Sequence, residues 1–217
     1  MEIGGLAGVF HKICSWFVRF AYINLLWILF TIIGLFLFGF FPATVAMCTI
    51  IRKWLHHQED VPIFKTFWRT FKKEWIKANG LGIVILAIGY LLYACLVLLQ
   101  GMQGFIYFLL YFSSFSLVFL YLMVVCFAIP VYIQYQTSWK ETLKQSFILG
   151  IAHPFHTIGL FVGIFTTYLI LDFIQFKFFF LGSVMAFVIM YMTNHVFEKV
   201  QLKISAEREG LSQPVIE

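Results

Sequence analysis

A chain of 217 residues that is 62% apolar, 20% aromatic and only 12% charged, with a mean hydropathy of +0.92, has too little charge to cover a water-soluble domain. This excludes an ordinary cytosolic enzyme, a disordered chain and a secreted disulfide scaffold, and sets the class as an all-α polytopic membrane bundle. The net charge of +5 lies in basic clusters beside apolar runs, which points to the anionic inner leaflet of a membrane.

The chain opens on an amphipathic pattern. Leu6, Val9, Phe10, Ile13, Trp16, Phe17 and Phe20 recur at helical spacing, with His11, Lys12, Ser15 and Arg19 on the other face. Residues 1–20 are therefore expected to form an interfacial helix rather than a cleavable signal peptide. The first span follows at 21–41, uncharged and closed by Pro42. After Asp60-Val-Pro62, residues 60–77 form a second amphipathic helix. Its apolar face carries Ile63, Phe64, Phe67, Trp68, Phe71, Trp75 and Ile76. Its basic face carries Lys65, Arg69, Lys72, Lys73 and Lys77.

Residues 78–139 contain no charge and are too long for one helix, so the Gly101-Met-Gln-Gly104 cluster divides them into spans 81–100 and 105–132. Ser138-Trp-Lys-Glu141 reads as a capping box opening a third amphipathic helix, 138–149. Residues 154–197 are too long for one crossing and are divided near 174–177 into spans 154–174 and 178–197. A cytoplasmic tail, 198–217, completes a single membrane domain of five spans. Twelve basic residues fall on one side of this arrangement against three on the other, which predicts a cytoplasmic C-terminus and an external N-terminus. Each half reads as a span, a proline, an amphipathic helix and a further span, an outline of a parallel internal repeat.

Chemistry-bearing motifs are sparse. Cys14, Cys48, Cys95 and Cys126 have no metal or disulfide spacing. There is no HExxH, serine elbow, paired aspartate or Walker A loop. His153 and His156 supply only two imidazoles, and His56-His57 sits in a polar loop, so no metal or cofactor is expected. Arg19 and Asp172 fall at one membrane level in the five-span arrangement and are expected to pair at the outer boundary. Asn24 and the Ser113, Ser114 and Ser116 hydroxyls suit helix–helix hydrogen bonds, and Gly159 and Gly163 form a small-xxx-small contact.

One ordered series of fragments carries a family resemblance. It runs through Asn24-Leu-Leu-Trp27, Gly39-Phe-Phe-Pro-Ala-Thr44 and Arg52-Lys-Trp54. It continues with Asp60-Val-Pro-Ile-Phe64, Phe67-Trp68, Phe71-Lys72 and Lys77-Ala-Asn-Gly80, with Ile129-Pro130 further on. In these the chain resembles the YesL family of bacterial membrane proteins, whose domain has no assigned function. The resemblance implies a multi-pass protein of the bacterial plasma membrane and, by association with sugar-uptake genes, an auxiliary role in carbohydrate uptake. It supplies no catalytic residues.

The expected function is thus a non-enzymatic accessory or assembly subunit, with components of a carbohydrate ABC transporter as partners and no nucleic acid. The alternative is a permease-like subunit in its own right. Phe64, Trp68, Arg69, Phe71, Lys72 and Trp75 are the expected contact residues for a partner or for anionic lipid.

Overall fold

The computed structural model describes residues 5–100 and 103–211. The first four residues of the expected N-terminal helix, residues 101–102 of the expected break and the last six residues of the tail lie outside the described residues. Seven helices follow in order: α1 (Gly5–Ile33), α2 (Leu37–Leu55), α3 (Ile63–Leu99), α4 (Phe105–Tyr135), α5 (Trp139–Ala152), α6 (Pro154–Phe173) and α7 (Lys177–Leu211). Among the described residues, five helical stretches are long and apolar enough to cross a membrane: Gly8–Ile33, Ile63–Leu99, Phe105–Tyr135, Pro154–Phe173 and Lys177–Leu202. Their outward faces carry large apolar side chains such as Leu98, Phe105, Phe155 and Phe173. In water that surface would be prohibitive, whereas lipid solvates it. The protein is an all-α, multi-pass membrane bundle.

The amino-terminal third corrects the expected topology. The span placed at 21–41 is not one helix. The amphipathic segment and the first part of that run are continuous in α1, which ends at Ile33, and the chain turns over Gly34-Leu-Phe36 into α2. Pro42 lies inside α2 instead of ending a span. In the second turn Pro42 has no amide to give the Phe38 carbonyl, and the Asn79 side chain of the next helix donates to that carbonyl instead, at 2.9 Å. The turn is held by amide bonds from Gly34 to the Phe30 carbonyl (3.0 Å) and from Phe36 to the Thr31 carbonyl (2.9 Å). Two consecutive residues, Leu35 and Phe36, have positive φ (55° and 59°), a conformation unfavourable for L side chains.

From the turn, α1 and α2 run antiparallel. The Trp27 indole donates to the Thr44 hydroxyl at 3.0 Å. Further along, the Trp16 and Trp54 rings meet edge to face with centroids 5.5 Å apart. At the open end, Arg19 reaches Glu59 at 3.4 Å. Arg19 and Asp172 are therefore not paired. Asp172 binds Lys177 across the short α6–α7 connection. The hairpin returns Arg19 to the side of the α2–α3 loop, which is the physical reason the expected pairing fails.

The amphipathic helix 60–77 and the span 81–100 are also one element, the 37-residue α3. Asn79 does not break it, because its side-chain amide donates to the Trp75 carbonyl within the helix and to the Phe38 carbonyl of α2, both at 2.9 Å. Helix α2 packs along α3, and α4 returns antiparallel to α3. That return is fixed by the Tyr121 hydroxyl donating to the Ile85 carbonyl at 3.0 Å and the Tyr132 hydroxyl donating to Glu74 at 2.5 Å. Tyr135 meets Phe197 and Lys199 meets His156, which brings the end of α4 and the start of α6 against one stretch of α7. The main core lies between α1, α2, α3, α4 and α7 around Ile23, Met47, Ile51, Phe67, Leu81 and Ala128.

The remaining helices start near the expected positions but run further, α4 to Tyr135, α5 to Ala152 and α7 to Leu211. Helix α6 ends at Phe173 and α7 starts at Lys177, with Gln175 at positive φ (62°) making the reversal without glycine or proline. Ser138 does occupy the N-cap of α5, but its side chain makes no capping bond. Instead the Thr142 hydroxyl donates to the Ser138 carbonyl at 3.0 Å. The span 178–197 and the first part of the expected tail form the single helix α7. The two halves differ in their joins, since α3 is unbroken while α5 and α6 separate at His153-Pro154.

Candidate functional site

The expected contact residues on α3 divide into two groups. Phe71 is buried and Trp75 is partly buried, both packed into the core. Phe30 of α1 explains this: its ring lies 5.1 Å from Phe67 and 4.9 Å from Phe71 between centroids. The apolar face of residues 63–77 thus serves mainly to seat the α1–α2 hairpin. Phe64 and Trp68 remain exposed, at 52% and 39%, and Arg69 and Lys72 are exposed beside them. The Lys72 ammonium sits 4.2 Å above the Trp68 ring, a cation–π pair that fixes charge next to an aromatic surface.

A second feature at this end lies between α2, the 56–62 loop and α3. It is an open cleft of about 700 Å³. Thr49 and Lys53 face it from α2, one helical turn apart, and Lys65, Arg69 and Lys73 face it from α3 at four-residue spacing. Asp60 and Glu59 line the loop side, where Glu59 is held by Arg19. Lys73 approaches Glu74 at 3.6 Å, and Glu74 in turn accepts the Tyr132 hydroxyl.

An adjoining pocket of about 120 Å³ shares Thr49, Thr70 and Lys73 with the cleft and reaches Arg52. One Arg52 terminal nitrogen donates to the Ile133 carbonyl at 3.1 Å, while its Nε is buried without a partner. Burial lowers the Arg52 guanidinium from its ordinary value, the mark of a charge that has lost part of its water. Sequence reading placed Lys65, Arg69 and Lys73 on the basic face of an amphipathic helix and used Arg52 and Lys53 for orientation and the family resemblance, without joining the two groups. The repeat of cations at 65, 69 and 73 was visible, but its partner Lys53 is brought opposite by the α2–α3 packing.

A separate cavity of about 280 Å³ lies among α1, α2, α3, α4 and α7, and is lined by apolar side chains including Trp27, Phe41, Cys48, Ile129 and Met185. His153 and His156 have ring centroids 5.8 Å apart. Among the described residues no three His, Cys, Asp or Glu side chains converge as a metal site would require. The four cysteines are free, with Cys48 buried. The Gly163 position faces Val188, so the small-residue pair on α6 serves the α6–α7 contact within one chain.

Comparisons with known proteins give the family of the chain. Residues 20–95, covering the second half of α1, all of α2 and most of α3, match the family described as "Protein of unknown function, DUF624". The uncharacterized protein YesL of Bacillus subtilis is 32% identical over 209 residues, which is 96% of this chain and 99% of YesL. The uncharacterized protein YteU of the same organism is 37% identical over 73% of this chain and 71% of its own length. The uncharacterized protein YesV is 35% identical over 69% and 72% respectively. No solved structure matches the chain. Similarity to YesL across almost the full length of both chains, together with the matched hairpin and α3, makes this chain a member of the DUF624 family.

Proposed function

We propose that the protein is a non-enzymatic accessory or assembly subunit of a carbohydrate-uptake system in the bacterial plasma membrane, and that it meets its partner through the basic end of α3. The observation that carries this reading is the exposed strip of Phe64, Trp68, Arg69 and Lys72. It joins aromatic surface and positive charge at the edge of the face on which the hairpin packs, where the Phe30 ring lies 5.4 Å from the Trp68 ring between centroids. Aromatic residues and arginine are the side chains that anchor protein interfaces. The carbohydrate connection rests on the resemblance described above. The cavity among the helices is walled by apolar side chains, which suits packing in lipid better than passage of a sugar and does not favour the permease-like alternative.

The hairpin also supports an orientation different from the one read from sequence. With α1 and α2 antiparallel, the amino-terminal part of α1 and the 56–62 loop share a side. Every Lys and Arg except Lys177 then lies on that side. This matches the positive-inside rule more closely than the five-span arrangement and favours that side, with α5 and the end of α7, as the cytoplasmic one.

Photo-crosslinkers at Trp68 and Lys72 in native membranes test the function. Stoichiometric capture of a transporter component, with loss of sugar uptake on deletion of the protein, is the expected result. Unchanged uptake and capture of lipid alone reject it. Cysteine labelling at Lys12 and His57 from one face of sealed vesicles tests the orientation, and labelling from opposite faces refutes it.

A further inference from the structure

The cleft between α2 and α3 has a chemistry of its own, and of the exposed strip only Arg69 also faces it. Lys53, Lys65 and Arg69 have no ion-pair partner among the described residues, and Lys73 reaches only Glu74. Against these four cations stand two carboxylates, Glu59 and Asp60, of which Glu59 is engaged by Arg19. Like charges converging on one cleft repel each other unless an anion neutralises them. Threonine hydroxyls interleave with them at Thr66 and Thr70 of α3, while the Thr49 hydroxyl of α2 donates to the Val45 carbonyl at 2.7 Å. Beneath them the buried Arg52 Nε has no partner in the adjoining pocket. Several cations with hydroxyl donors match the multiple acceptor oxygens of a phosphate better than the two of a carboxylate. The volume of about 700 Å³ greatly exceeds what a bare phosphate needs. The loop side supplies Asp60, Gln58 and His57, groups that exchange hydrogen bonds with hydroxyls.

We propose that this cleft binds a phosphate ester that carries hydroxyl groups, with Lys53, Lys65, Arg69 and Lys73 on the phosphate and the 57–60 loop on the hydroxyls. Two sources present this chemistry: the headgroup of an anionic lipid such as phosphatidylglycerol, and a soluble polyol phosphate. Full-length protein in phosphatidylcholine nanodiscs is examined by equilibrium dialysis with labelled glycerol phosphate. In a second arm, native mass spectrometry measures retention of phosphatidylglycerol from mixed-lipid discs.

The Lys53→Gln/Lys73→Gln variant removes a cation from each wall and weakens saturable binding by about tenfold or more. The Lys65→Gln/Lys73→Gln variant changes only two exposed side chains of α3 and repeats the test without touching α2. Lys77→Gln/Lys144→Gln lowers the same net charge at exposed positions outside both the cleft and the strip, and shifts affinity by no more than about twofold. Binding in the dialysis arm identifies a soluble ligand, and retention of phosphatidylglycerol alone identifies a lipid headgroup. Absence of binding in both arms overturns the site. Equal losses from the cleft and control variants also overturn it, because binding would then follow overall charge.

Discussion

Replacing Gly39 with alanine tests the tight reversal between α1 and α2. A Cβ at Gly39 would lie 2.6 Å from the Phe30 carbonyl oxygen, 2.6 Å from the Thr31 carbonyl oxygen and 2.9 Å from the Gly34 Cα. All three are backbone atoms, so no side-chain rotation relieves the clash. Both carbonyls already accept the turn-forming amides of Gly34 and Phe36. Moving them lengthens those bonds and separates the two helices near the Trp27–Thr44 hydrogen bond.

Overpacking a tight site costs about 1–3 kcal/mol, and a purely backbone clash belongs at the upper end. A loss of about 3 kcal/mol lowers the folded-to-unfolded ratio roughly a hundredfold. Gly80 is the internal control, because a Cβ there meets nothing within 4 Å. Gly80→Ala in α3 gains helix propensity and is expected to stabilise by about 0.5–1 kcal/mol. Denaturant titration in mixed micelles, followed by far-UV circular dichroism and tryptophan fluorescence, measures both variants. A Gly39→Ala protein within about 0.5 kcal/mol of the parent refutes the packing argument for the turn.

Three further outcomes follow from the same contacts. In a cysteine-free background, Arg19→Cys/Glu59→Cys is joined efficiently by a short bifunctional maleimide, whereas Arg19→Cys/Asp172→Cys is not; mass spectrometry after proteolysis reads both. Asn24→Leu removes a donor to the Phe178 carbonyl and an acceptor for the Ser183 amide, each at 3.1 Å, and is expected to destabilise by about 1–2 kcal/mol in micellar unfolding. Tyr132→Phe deletes the hydroxyl bonded to Glu74 and costs about 2 kcal/mol in the same assay, with little change in helix content.

Much of the bundle was legible because lipid enforces long apolar helices, and charges or reversals delimit them. The boundaries near 100–105, 135–139 and 174–177 were readable for that reason. Residues 21–41 misled because hydropathy records apolar content, not direction. A reversal at Gly34–Phe36 adds no polar residue to the run, and Leu35 and Phe36 are not residues that announce a positive-φ turn. The available signal was the pair Gly34 and Gly39, whose value as a close backbone approach emerges only when the two helices meet.

Residues 63–77 misled in a different way. Their amphipathic pattern suits a membrane surface, but Phe30 occupies much of the apolar face. The strip at Phe64, Trp68, Arg69 and Lys72 was anticipated. The cleft was not, because its two basic walls are separated by the 56–62 loop and become neighbours only through tertiary packing.

The unbroken course of α3 has a mechanical meaning. At about 1.5 Å per residue, its 37 residues form a rod of roughly 55 Å. Such a rod bends gently and has no proline or insertion at which to flex. A displacement of its basic end is expected to carry to the far end near Leu99 as tilt, with the hairpin packed along the first half through α2. The second half of the chain has a joint in the corresponding stretch, at His153-Pro154. One arm is a lever and the other is articulated, so the two ends of the bundle respond unequally to the same load.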